Sequence, residues 1–184
     1  MTKSDPWYVH AILYTVVVIL VGILIKVAII DPKVVVGEEK YNKTESRLRM
    51  KNIKEGEILW EKKFGHYTGS LDSLINFIKN DPTVQKIRTG FDSLSRRPTD
   101  PFVNLSNGEF TPDSLFRTPK SWQFYTLQID TSEQVDTVVN RQGKILRVEK
   151  SNVIGKRYFI EDPDGYGTIG SLTDDAIKNT ASWE

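Results

Sequence analysis

The sequence predicts an α+β protein: an N-terminal transmembrane helix, an amphipathic helix packed on a small antiparallel sheet, and an Asp/Gly-rich C-terminal loop. Three observations predict it. Residues 8–30 are apolar with one full charge, and residues 37–64 carry an apolar stripe at helical spacing. Beyond residue 120 the pattern shifts to the β-branched and aromatic runs of strands.

Residues 8–30 read YVHAILYTVVVILVGILIKVAII. At about 1.5 Å per residue they cover roughly 35 Å as a helix, more than a bilayer hydrocarbon core of about 30 Å. The stretch is longer than the apolar region of a signal peptide and leads into Ile29-Ile30-Asp31-Pro32 rather than a small-residue cleavage site. It therefore reads as an uncleaved anchor. Trp7, Tyr8 and Tyr14 lie towards one end, as interfacial aromatics do. Lys26, about a turn from the other end, is expected to snorkel to the interface, and His10 to sit at the opposite one. Residues 1–7 form a short flank. Asp31-Pro32 predicts a break or kink, with a linker over 31–36, because proline lacks a donor and disfavours helix before it.

Residues 37–184 are expected to form one soluble domain, a length that can bury a core. Met50, Ile53, Trp60 and Phe64 mark one face of a helix over 37–64, with Gly65 as its stop. Ser70 is a good N-cap for a second helix over about 71–79, in which Leu71, Leu74, Ile75 and Ile78 share a face. Residues 81–120, punctuated by Pro82, Pro98, Pro101, Pro112 and Pro119, read as a loop-rich connection with room for one short helix. Strands are expected over 122–130, 134–140, 144–149 and 156–161, with a tight turn at Arg141-Gln142-Gly143.

Composition narrows the chemistry. The 184 residues carry 25 basic and 24 acidic side chains, a balance with no electrostatic footprint for nucleic acid. There is no cysteine, so disulfides, thiolate metal sites and cysteine nucleophiles are excluded. The two histidines are His10, in the apolar segment, and His66. No nucleophile elbow or phosphate-binding glycine loop is recognisable, and no small-molecule substrate is evident. The sequence is expected to be non-catalytic. Its most suggestive cluster runs from Asp162-Pro163-Asp164-Gly165 through Gly167 and Gly170 to Asp174-Asp175. Hard cations take six to eight oxygens, and glycines let a backbone fold its carbonyls around an ion. The spacing is not that of an EF-hand, and Asp and Gly also simply make turns.

The order of these segments resembles the type IV pilin and type II secretion pseudopilin superfamily, the major pseudopilin most closely. The resemblance lies in the apolar helix and its amphipathic continuation, Phe64-Gly65-His66-Tyr67-Thr68 leading to Leu71, Asp100-Pro101-Phe102 before the sheet, and Asp164-Gly165, Gly167, Gly170, Asp174-Asp175-Ala176-Ile177 and Trp183 at the end. It implies a calcium site in the C-terminal loop. The side-chain ligands carried over are Asp164, Asp174 and Asp175, with backbone carbonyls near Asp162 and Tyr166 completing the shell. The family's glycine–phenylalanine cleavage junction has no match, and no acidic residue lies between Tyr8 and Ile30. The resemblance thus implies a permanently anchored, pseudopilin-like structural protein of a bacterial export or surface-assembly system, rather than a filament's main subunit. An accessory single-pass subunit of a membrane complex is the alternative, and an anchored hydrolase a more distant one. The bilayer and protein neighbours are the expected partners. The inner membrane is the expected location, with the soluble domain extracytoplasmic, although Lys33, Lys40, Lys43, Arg47, Arg49 and Lys51 after the span against Lys3 before it favour the reverse orientation.

Overall fold

The computed structural model describes residues 6–94, 96–131, 133–139, 142–152 and 154–184. It is α+β, with a long apolar helix at the N-terminus and small antiparallel sheets. The chain divides into two compact units, Met1–Asn42 and Lys43–Glu184.

In the first unit, helix α1 spans Trp7–Ile25 and buries none of its side chains. The helical run Trp7–Phe64 is the one run among the described residues long and apolar enough to cross a membrane, with a mean hydropathy of 2.8 over 18 residues. Lys26–Ile30 follows as a π-helical turn, in which the Asp31 N–H reaches back to the Lys26 carbonyl. Helix α2, Asp31–Phe64, begins directly after it. The expected break at Asp31-Pro32 and the linker over 31–36 are therefore absent, and these residues are the first turns of α2. A π turn widens the helix just before the proline, where the ring would otherwise meet the carbonyl four residues back.

In the second unit, α3 spans Leu71–Asn80 and starts as the sequence predicts, with Ser70 Oγ accepting from the Ser73 N–H at 3.3 Å. Helix α4, Pro82–Thr89, replaces the start of the expected loop. Asp81 caps it by accepting from the Thr83 N–H at 2.9 Å, and Pro82 opens it, so a residue read as a breaker acts as a helix start. The Asp81 carboxylate also takes the Lys63 ammonium, which holds its pKa below the usual carboxylate range. Strands β1 (Phe91–Asp92) and β2 (Arg97–Pro98) pair as a minimal hairpin, and a 3-10 turn covers Pro112–Leu115.

Strands β3 (Thr126–Ile129), β4 (Glu133–Val139), β5 (Ile145–Asn152), β6 (Tyr158–Glu161) and β7 (Thr168–Gly170) follow. They form an antiparallel sheet of order β3-β6-β7 and a separate β4-β5 ribbon, rather than the single sheet expected. Of the turn expected at residues 141–143, Arg141 lies outside the described residues. Gly143 adopts φ +79°, as a tight turn requires.

One core gathers Met50 and Ile53 of α2, Leu74 and Ile78 of α3, and Ile160 and Ile169 of the sheet, all fully buried. Gly56 permits the α2–α3 approach: a Cβ there would stand 2.7 Å from Ile78 Cδ1. The stripe expected on α2 is correct at Met50 and Ile53 and fails towards the helix end. Trp60 is half-buried and Phe64 is 46% exposed, the two rings packing instead against Phe77. The buried face has room for fewer rings because four polar residues, Glu45, Ser46, Asn52 and Glu57, occupy it with no exposure at all.

Candidate functional site

Those four residues pin the loops of the unit to α2. Buried polar groups are tolerated where they are hydrogen-bonded, and nearly every oxygen and nitrogen here is. Glu45 accepts from Arg49 with Oε1, at 3.0 and 3.1 Å, and from the Ser106 N–H with Oε2, at 2.9 Å. Asn52 closes a two-way bond with Val103, donating to its carbonyl and accepting from its N–H, both at 2.8 Å. Glu57 accepts from the Thr68 N–H at 3.0 Å. Ser46 Oγ lies 2.9 Å from the Tyr125 hydroxyl and donates to Asp162 Oδ2.

Asp162 is the first of the four sequence-predicted ligands, and it is buried at the end of β6. Its second oxygen accepts from the Asp164 N–H at 2.7 Å, and its carbonyl accepts from the Gly165 N–H at 3.0 Å. The loop closes where the Asp162 N–H donates to the Gly167 carbonyl at 3.2 Å. Burial raises the Asp162 pKa, and the Ser46 and Asp164 hydrogen bonds oppose the rise. For Asp164 burial also acts upward, but hydrogen bonds from Ser121 and Thr118 and the nearby Lys120 ammonium outweigh it, and the pKa falls. Asp164 Oδ2 accepts from the Ser121 N–H at 3.2 Å. The Tyr125 hydroxyl is held neutral by burial, with its pKa raised.

Asp174 and Asp175 belong to a different place. Asp174 Oδ1 caps the 3-10 turn Asp175–Ile177 by accepting from the Ala176 N–H at 2.8 Å. Asp175 is 3.6 Å from Arg157 Nε and 77% exposed at its side chain. Arg157 itself donates twice to Asp130 Oδ2, at 2.6 and 2.9 Å, and once to the Thr173 carbonyl at 2.8 Å. Arg157 precedes β6 and Asp162 follows it. At about 3.3 Å per extended residue, the Cα atoms of Arg157 and Asp162 stand roughly 16 Å apart, at opposite ends of β6.

The structure therefore brings Asp162 together with Asp164, and Asp174 with Asp175, but not the four as one set. A calcium ion takes oxygens at 2.3–2.6 Å, closer than two separated pairs reach. Both Asp162 oxygens are committed to protein donors, and each pair has a basic side chain beside it, Lys120 or Arg157. Among the described residues no group of three or more His, Cys, Asp or Glu is placed to hold a metal ion. The residues do not fit the single site implied by the resemblance. Thermal melting in neutral detergent is accordingly expected to shift by less than about 1 °C between millimolar calcium and chelator, since only ligands bound to the folded state stabilise it. A shift several times larger, lost in Asp164→Ala, sinks this reading of the loop.

Sequence reasoning missed Ser46, Tyr125 and the buried acids of α2. One signal was available: Glu45, Asn52 and the apolar Met50 and Ile53 recur on the same helical face. No protein-family model, curated protein or solved structure matches this chain. The pilin-like resemblance rests on the residue pattern alone.

Proposed function

We propose that this chain is a membrane-anchored structural protein of a bacterial envelope assembly, pseudopilin-like in plan, whose soluble unit serves as a contact surface rather than a catalyst. One observation carries the reading. Helix α1 exposes apolar side chains on every side and buries none, whereas unit Lys43–Glu184 has a closed core of its own. An all-round apolar helix is stable only within lipid or against other apolar helices. The buried polar side chains of the soluble unit support the same reading. They are spent on holding loops to α2, where Ser46 and Asp162 are too deeply buried to meet a substrate.

The test is purification of the full chain in mild neutral detergent, with a tag after Glu184 checked for protease access in intact spheroplasts. Co-purification of a defined set of envelope proteins, with the tag cleaved from outside, is the expected result. A chain that leaves the membrane alone, or a fully protected tag, overturns the proposal in its extracytoplasmic form.

A further inference from the structure

A groove of about 540 Å³ opens on the soluble unit, lined by Phe116, Trp122 and Phe124 with Arg49, Arg117 and Asp113 at its polar side. That size suits a peptide or small-ligand site. Trp122 and Phe124 are 67% and 56% exposed, and an aromatic pair left in water contributes little to the fold. Trp122 also stands at φ +58°, in the left-handed region that favours glycine or asparagine. The turn that places it there is closed by the Arg117–Phe124 bridge and by the Thr118 N–H donating to the Gln123 carbonyl at 2.8 Å. A bulky ring held in a disfavoured conformation and facing water costs stability that folding does not need.

The charges decide what the groove takes. Arg49 is neutralised by the buried Glu45 and donates to the Arg117 carbonyl at 2.7 Å. Asp113 is neutralised by Lys79, which reaches both its oxygens at 2.7 and 2.9 Å. Arg117 stacks on Phe124, its guanidinium 4.4 Å from the ring centroid, and donates one Nη1 bond to the Trp122 carbonyl at 2.9 Å. No carboxylate of the described residues pairs with it. The groove is therefore aromatic with one uncompensated guanidinium, pre-oriented by its stacking.

We propose that this groove binds an acidic segment of a partner protein, seating a carboxylate on Arg117 and an adjacent apolar side chain on Trp122 and Phe124. Tryptophan and arginine are the residues that most often dominate such contacts, and a guanidinium recognises a carboxylate through paired donors. The inference rests on the scaffold reading above and names the contact surface within it.

The probe is a fluorescein-labelled peptide alternating aspartate with leucine and phenylalanine, titrated by anisotropy against the full chain in maltoside micelles. Its asparagine counterpart serves as the neutral control. The acidic peptide is expected to bind about 10-fold more tightly or better, the range of a charge-assisted hydrogen bond. Arg117→Gln should erase that difference and leave the neutral peptide's affinity within about twofold. Trp122→Asn should weaken both peptides about fivefold or more without lowering the melting temperature, because asparagine tolerates the left-handed conformation. Equal affinities for the two peptides, or an Arg117→Gln variant that still discriminates, overturn the proposal. So does tighter binding of a neutral oligosaccharide that depends on Trp122 alone. If co-purified partners survive both substitutions, the groove is wrong and the scaffold stands. If the wild-type chain purifies alone, the scaffold falls while the titration still judges the groove.

Discussion

Gly170→Ala is expected to destabilise the unit Lys43–Glu184 by about 2–5 kcal/mol, lowering its melting temperature by roughly 4–20 °C. Gly170 ends β7 at φ +86° and pairs with Phe159 of β6, while its N–H donates to the Thr180 carbonyl at 3.0 Å. A Cβ built there lies 2.3 Å from the Tyr158 carbonyl oxygen and 2.9 Å from that of Lys178. Both are backbone atoms, that of Tyr158 within the β3–β6 pairing, so neither yields as a side-chain end does. The left-handed conformation alone costs an alanine about 1–2 kcal/mol, and overpacking adds about 1–3 more. Gly165→Ala separates the two effects. Gly165 has φ +79° with nothing within 4 Å of the built Cβ, so it should show the conformational cost alone. Equal losses at the two positions in denaturant melts contradict the close-approach argument.

The parts of this fold that the sequence makes legible are those set by local chemistry. The helix over 71–80 follows from a serine cap and a four-residue apolar face, and both are where expected. The strands follow from β-branched runs, although their division into a three-stranded sheet and a separate ribbon depends on long-range pairing that no local pattern encodes. Pro32 and Pro82 show where local rules misled. Each reads as a stop, yet each lies within a helix: Pro82 opens α4, where a missing donor has no partner to lose, and Pro32 follows the π turn that makes room for its ring. Of the candidate site, the turn chemistry of Asp162-Pro163-Asp164-Gly165 was legible and its partner was not. Ser46 lies 116 positions away, and nothing in either segment announces the other. The split between Asp162/Asp164 and Asp174/Asp175 is equally invisible in a sequence where all four fall within one short acidic stretch. Asp162 leaves the end of β6, whereas Asp175 faces Arg157, which precedes its start.

Glu57→Gln should make the protein more stable at pH 8 by about 2–4 kcal/mol while leaving its stability at pH 5 within about 1 kcal/mol of wild type. Glu57 has no solvent exposure; one oxygen accepts from the Thr68 N–H, and Oε1 meets no hydrogen-bond partner. Burial pushes its pKa up to about 8 from an ordinary 4.5, against the opposing Thr68 hydrogen bond. The same burial raises Tyr67 and Tyr158 beside it, so those hydroxyls stay neutral and offer no charge to balance a carboxylate. Below pH 4.5 the folded and unfolded chains both keep the proton, and the site has no pH dependence. Between 4.5 and about 8 the unfolded chain releases its proton while the folded chain retains it. Stability therefore falls by about 1.4 kcal/mol per pH unit across that window and levels off above it. Glutamine keeps an acceptor for Thr68 and cannot ionise, so the difference between the two melting curves isolates this one group from Asp162 and the other acids. Parallel curves from pH 5 to pH 8 would mean that Glu57 ionises at its ordinary pKa. Glu57→Leu gives the complementary result: it too loses the pH dependence, but it strands the Thr68 N–H and lies about 1–3 kcal/mol below Glu57→Gln at every pH. The acid is thus retained for its hydrogen bond to the segment that follows α2, and its titration is the cost of using a carboxyl group for that purpose.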